Sequence, residues 1–212
     1  MTHLILIIVA SYILGGIPFG LILGLLVKKI DIREYGSGNI GASNAWRILG
    51  PVWGGLTFLL DVLKGYAPVV VSHHFCGPGS PLPVFAGLAA LLGHNFSPFL
   101  KFKGGKGAAT SLGVAFGLSP LAGAIGFGVW LVVVAATHYI SVGSVCAVIA
   151  GSFFIWWFNS KGIAYGVFAL FAIVFTFVKH RSNFERLKAG TESKVKFGKS
   201  SEKPDETPPE TN

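Results

Sequence analysis

Charge is what this chain has least of. Only 12% of its 212 residues are Asp, Glu, Lys or Arg, too few to solvate the surface of a water-soluble domain. Acid is scarcer than base: the aspartates are Asp31, Asp61 and Asp205 alone. That excludes chemistry needing paired carboxylates and leaves a lipid phosphotransferase, which wants metal-binding aspartates, poorly supplied. Cys76 and Cys146 lie 70 positions apart, forming neither a disulfide framework nor a metal spacing. HExxH, GxSxG and Walker A patterns are missing. So is a histidine with an aspartate five residues on, the nearest approach being His180 with Glu185. Metal-assisted hydrolysis and a covalent acyl-serine are therefore disfavoured. No repeat of 20 to 50 residues is visible, nor the inverted repeat of many transporters.

What fills the chain instead is apolar sequence. With 52% hydrophobic residues and a mean hydropathy of +0.65 it belongs in a bilayer. The net charge of +8 sits between apolar segments and in the tail, which fits cytoplasmic loops and anionic membrane lipids and not nucleic acid. Leu4–Val27 has no basic leader and is too long for a signal-peptide core, so it reads as one spanning helix. It ends in Lys28-Lys29, placing that end in the cytoplasm. Asp31–Gly50 reads as a polar cytoplasmic loop, and Pro51–Phe75 as the second helix. Cys76–Pro83 makes an external turn, and Val84–Leu100 the third helix. Asp61 and Lys64 stand one turn apart in the second helix, either a functional site or a self-neutralising pair. Ser119-Pro120 splits the next run into Ala108–Leu118 and a helix reaching Thr137. Ser144–Phe158 and Ile163–Val178 follow. The expected fold is all-α: a polytopic bundle of seven transmembrane helices, N-terminus outside and C-terminus cytoplasmic. Residues 1–198 form one membrane domain and residues 199–212 a disordered tail.

This topology puts four polar islands on the cytoplasmic face: Tyr35–Arg47, Phe102–Ser111, His138–Ser144 and Lys179–Glu192. In the second island Gly104, Gly105 and Gly107 surround Lys106 and open into a helix. Backbone N–H groups, a helix N-terminus and a lysine together suit phosphate or carboxylate, although a plain interhelical turn accounts for the pattern equally well. The first island supplies Ser37, Asn39, Ser43, Asn44 and the fork of Arg47. The last supplies His180, Arg181, Asn183 and Arg186. The outcome is a cationic, carboxylate-poor site for more than one anionic group. It would work by positioning and electrostatic stabilisation, with His180 as the natural proton carrier. A carrier for phosphorylated metabolites would also want such a site, but with polar groups at the midplane.

GSGNIGASNAWR, KGGKGAAT and HRSNFERLKAGTE, in that order, resemble the three cytoplasmic motifs of the bacterial acyl-phosphate-dependent glycerol-3-phosphate acyltransferase family. The resemblance runs from Leu4 to about Glu192. It implies transfer of a fatty acyl group from acyl phosphate to the 1-hydroxyl of glycerol 3-phosphate, giving lysophosphatidic acid and phosphate, at the inner membrane and without cofactor or metal. The residues it implies as catalytic are Ser37, Lys106, His180 and Asn183. Those implied to bind substrate are Gly38, Asn39, Asn44, Arg47, Gly104, Gly105, Gly107 and Glu192, with a serine before the sixth helix, Ser144 or Ser141. Lys106 and the glycine N–H groups are expected to cradle one phosphate. An acyl-phosphate-producing acyltransferase is the protein partner this chemistry leaves room for.

Overall fold

The computed structural model describes residues 2–77, 79–159 and 162–195. Among them the regular structure is helical, with no strand. The first helices are α1 (Thr2–Gly16), α2 (Phe19–Val27), α3 (Ala42–Leu49), α4 (Pro51–His74) and α5 (Leu82–Asn95). They are followed by α6 (Ala108–Leu118), α7 (Pro120–Thr137), α8 (Ile140–Phe158), α9 (Ile163–Lys179) and α10 (Arg181–Lys188). Two 3-10 turns, Ile32–Glu34 and Pro98–Leu100, stand between them.

Among the described residues four segments are long and apolar enough to cross a membrane: α4, Leu82–Leu100, α7 and α8. The bent pairs α1–α2 and α9–α10 raise the number to six if each is one span. α6, at 11 residues, covers only about 16 Å. The expected single helix Leu4–Val27 is in fact two, bent by 41° at Ile17-Pro18. Pro18 has no N–H to give, so carbonyls before it lose their helical partners. They find others: Ser97 Oγ donates to Gly16 O at 2.6 Å and Lys64 Nζ to Ile17 O at 2.8 Å. A broken helix at membrane depth needs that replacement.

The expected loop Asp31–Gly50 also carries structure, since its last third is α3. Gly50, at φ +95°, ends α3, and Pro51 then opens α4, a glycine stop followed by a proline start. The sixth helix begins at Ile140, so Ser141 and Ser144 stand in its first turns and not in the loop expected to end at Ser144.

α6 is the centre of the bundle, packed on α4, α5, α7 and α8. Glycines set its closeness to α4: a Cβ on Gly113 would lie 1.9 Å from Val62 O, and one on Gly65 2.2 Å from Thr110 O. Small residues at such crossings let helix backbones approach where no hydrophobic effect drives them together. Val69, Leu91, Val114, Val148 and Phe168, from five helices, form the apolar core. The expected tail, 199–212, lies outside the described residues.

Candidate active site

Five helix ends meet at one end of the bundle: the starts of α4, α6 and α8, and the end of α9 with α10 beyond it. α3 and the irregular segment Thr191–Val195 complete the rim of a cavity of about 1450 Å³. Val195 N–H donates to His138 O at 2.8 Å, tying that segment to the α7–α8 corner. Inward, the walls turn apolar, with Phe58, Leu112, Phe127, Trp130, Val148 and Phe168.

The first island is shaped by Asn44, which is fully buried. Its Oδ1 accepts from Ser37 N–H at 2.9 Å, and its Nδ2 donates to Ile32 O at 2.8 Å and Tyr35 O at 3.2 Å. Asn44 therefore builds the loop that holds Ser37 at the cavity wall. Asn39 lines the cavity too, its Oδ1 taking Gly41 N–H at 2.9 Å. Gly38 does not line it; at φ +67° it makes the turn between them. Arg47, on α3, faces the cavity.

In the second island the expectation of free glycine N–H groups fails at two positions. Gly104 N–H donates to Asn95 O at 3.3 Å and Gly105 N–H to His94 O at 3.0 Å. Neither residue lines the cavity. Both are glycine because the turn lies against the end of α5: a Cβ would meet His94 O at 2.0 Å from Gly104 and His94 Nε2 at 2.2 Å from Gly105. Gly107 does line the cavity, at φ +81°, and leads into α6. Lys106 reaches across the cavity and donates to Asn183 Oδ1.

That contact joins the second and third islands. Asn183 Nδ2 donates in turn to Glu192 Oε1 at 2.6 Å, and Arg186 Nε to Glu192 Oε2 at 2.7 Å. Glu192 is thus the tie that orients Asn183 and Arg186. Burial alone would raise its pKa; the neighbouring Ser141 hydroxyl and the hydrogen bonds from Asn183 and Arg186 outweigh this and hold it below the usual carboxylate range. Lys106 is lowered to about 8, chiefly by burial and then by Arg186 and Arg47, with Glu192 opposing. His180 is lowered to about 4, again mainly by burial, so its ring is neutral at pH 7. Its Nδ1 lies 2.9 Å from Thr176 O. A neutral ring must donate there, which leaves Nε2 as the acceptor.

Both Ser141 and Ser144 are buried and line the cavity. Arg181 points away, paired with Glu185 at the surface. The structure adds groups the motifs leave out. Ser193 and Lys194, which follow the last motif and carry no signal of their own, are two; Arg186, named from the last island, also lines the cavity. Asp61 and His94 also reach the wall. Among the described residues no His, Cys, Asp and Glu cluster of metal-binding size occurs.

A site with Lys106, Arg47 and Arg186 around one donor-rich space, opening into apolar walls, suits phosphorylated ligands with a hydrocarbon part. Comparison with known proteins agrees. The glycerol-3-phosphate acyltransferase family model matches residues 5–190. A glycerol-3-phosphate acyltransferase of Thermotoga petrophila is 42% identical over 191 residues, covering 90% of this chain and 96% of the relative. One of Geobacter sulfurreducens is 44% identical over 196 residues, covering 92% and 100%. Crystal structures of PlsY (YgiH), an integral membrane glycerol 3-phosphate acyltransferase, superpose with TM-scores of 0.86 for the glycerol 3-phosphate form and 0.83 for the lysophosphatidic acid form. Each is 36% identical and covers 92% of this chain and 96% of the other.

Proposed function

This chain belongs to the glycerol-3-phosphate acyltransferase family, membrane enzymes of phospholipid synthesis, and from that premise we propose that its acyl donor is acyl phosphate and its acceptor the 1-hydroxyl of glycerol 3-phosphate. The observation that carries the proposal is the contact of Lys106 with Asn183, continued through Glu192 to Arg186. It brings cations from two remote motifs to one cavity, with Arg47 of the third across from them. That much positive charge suits two phosphoryl groups.

In this reading Lys106 and Arg186 hold one phosphoryl group and Arg47 the other, while Ser37 and Asn183 orient the reacting hydroxyl and carbonyl. Ser144 lines the same wall. Gly104 and Gly105 serve by shape, and Asn44, Gly38 and Glu192 by holding the donors in place. The 1-hydroxyl oxygen attacks the acyl carbonyl carbon, and the bond from that carbon to the phosphate oxygen breaks. The proton goes to the departing phosphate, which gains negative charge on oxygen as the carbon–oxygen bond breaks and is then a stronger base than a histidine lowered to about 4. His180 Nε2 accepts a hydrogen bond from the hydroxyl and aligns it.

The alternation of helix ends at the cavity supports seven crossings, N-terminus outside and site cytoplasmic, with α6 starting below the membrane surface. We also propose one functional domain over residues 1–198. A soluble acyltransferase that makes acyl phosphate would deliver the donor to that face. The test is turnover by purified protein in detergent with glycerol 3-phosphate and either palmitoyl phosphate or palmitoyl-CoA. Phosphate release with the first and no product with the second is the expected result. Equal use of the thioester would overturn the donor assignment.

A further inference from the structure

The reaction as drawn leaves the buried group under the glycine turn unused. Asp61 and His94 are 2% and 3% exposed, and both reach the cavity wall. Lys64 Nζ lies 2.7 Å from Asp61 Oδ1 and also donates to Ile17 O at the α1–α2 break, so the carboxylate is held from one side. The same Asp61 oxygen stands 3.9 Å from His94 Nδ1, a ring atom with no hydrogen-bond partner among the described residues. A small ring rotation, or one water, closes a gap of that size. On its other side the ring supports the turn. His94 Nε2 occupies the space a Cβ on Gly105 would need, and His94 O accepts Gly105 N–H. Lys106 is the next residue.

We propose that Asp61 and His94 are positioning residues for Lys106: the carboxylate orients the imidazole, and the imidazole is the platform that fixes the glycine turn and so the direction of the lysine. An ion pair kept only for its own neutrality would need no ring beside it. Here a carboxylate from α4, an imidazole from α5 and a backbone turn that tolerates no side chain are stacked in that order, ending at a cation in the site. An imidazole buried under the turn, with a carboxylate 3.9 Å from its Nδ1, is restricted in orientation by packing on one side and by charge on the other. A turn resting on it inherits that fixity, and a misplacement of about 1 Å at a reacting group can cost on the order of a hundredfold in rate.

The experiment labels Lys106 with an amine reagent over a pH series in the purified full chain, reading the modified peptide by mass spectrometry, beside turnover with palmitoyl phosphate. Lys106 is faced by Arg47 of α3, by His180, Asn183 and Arg186 of the α9–α10 region, and by Glu192. None of these is altered in the variants. His94→Ala is expected to move the labelling midpoint from about 8 upward toward the ordinary lysine value of 10.5, because a loosened turn lets the amine into water. Turnover should fall by about a hundredfold. Added imidazole should reverse both changes, since the vacated space opens on the cavity. His94→Gln, which keeps a polar side chain there, should show smaller changes and guards against a misfolded His94→Ala. A folded variant with an unchanged labelling midpoint overturns the proposal, whatever its turnover. The turnover arm rests on the proposed reaction; the labelling arm does not, so Lys106 proving dispensable for activity would leave the positioning claim to be decided by labelling alone.

Discussion

At the scale of single residues, the proposed reaction leans most on Lys106, which lines the cavity and donates to Asn183. Lys106→Ala is expected to lower kcat by about 10²–10³, as removal of one preorganised charge does, and near-normal turnover would refute its role. Its pKa sets a pH limb. Being lowered to about 8, the amine loses its charge as pH rises through that value, so kcat/KM for glycerol 3-phosphate should fall above about pH 8. In Lys106→Arg the limb should vanish from the measurable range, because a guanidinium stays charged. The same shift bears on stability with a definite sign. The folded chain releases this proton earlier than the unfolded chain, so the cost of burying the charge is present below about pH 8 and relieved between there and 10.5. Glu192 looked in the sequence like one more substrate ligand. Only the structure shows both its oxygens occupied by Asn183 and Arg186, because contacts between a helix and the segment beyond it leave no periodic mark.

At the scale of elements, close helix approach is the structural requirement. Gly113→Ala should be destabilising, by about 1–3 kcal/mol or more, since its Cβ would meet rigid α4 backbone at Val62 and Tyr66; thermal unfolding in detergent measures it. Lys64→Met leaves Asp61 buried without its cation. That should cost about 3–5 kcal/mol, whereas a pair of no structural weight would leave the melting temperature unchanged. Helix positions were legible from apolar run length, and Ser119-Pro120 correctly split α6 from α7. The same residue type was passed over at Pro18, because a run with no charged residue reads as one crossing. The break depends on Ser97 and Lys64, partners remote in sequence. α3 was hidden likewise: its eight residues make barely two turns, too few for their apolar face to stand out as a periodic stripe.

At the scale of the whole molecule, three motifs spread over more than 150 positions close around one cavity, and the sequence announced that gathering only through topology. Positive charge and glycine crowded one face, and loops on one face can converge. The sequence did not reveal how the second motif is held. Its glycines looked like phosphate donors, yet two of them exist so that the turn can lie on α5. The proposed reaction requires the cavity to take two phosphoryl groups side by side, with the acyl chain along its apolar walls. The most direct test is a crystal structure with glycerol 3-phosphate and an inert phosphonate analogue of acyl phosphate bound together. Both phosphoryl groups are expected inside this cavity, one in contact with Lys106 and Arg186 and the other with Arg47. A single anion there with the second ligand bound elsewhere, or Lys106 turned away from both, would contradict it.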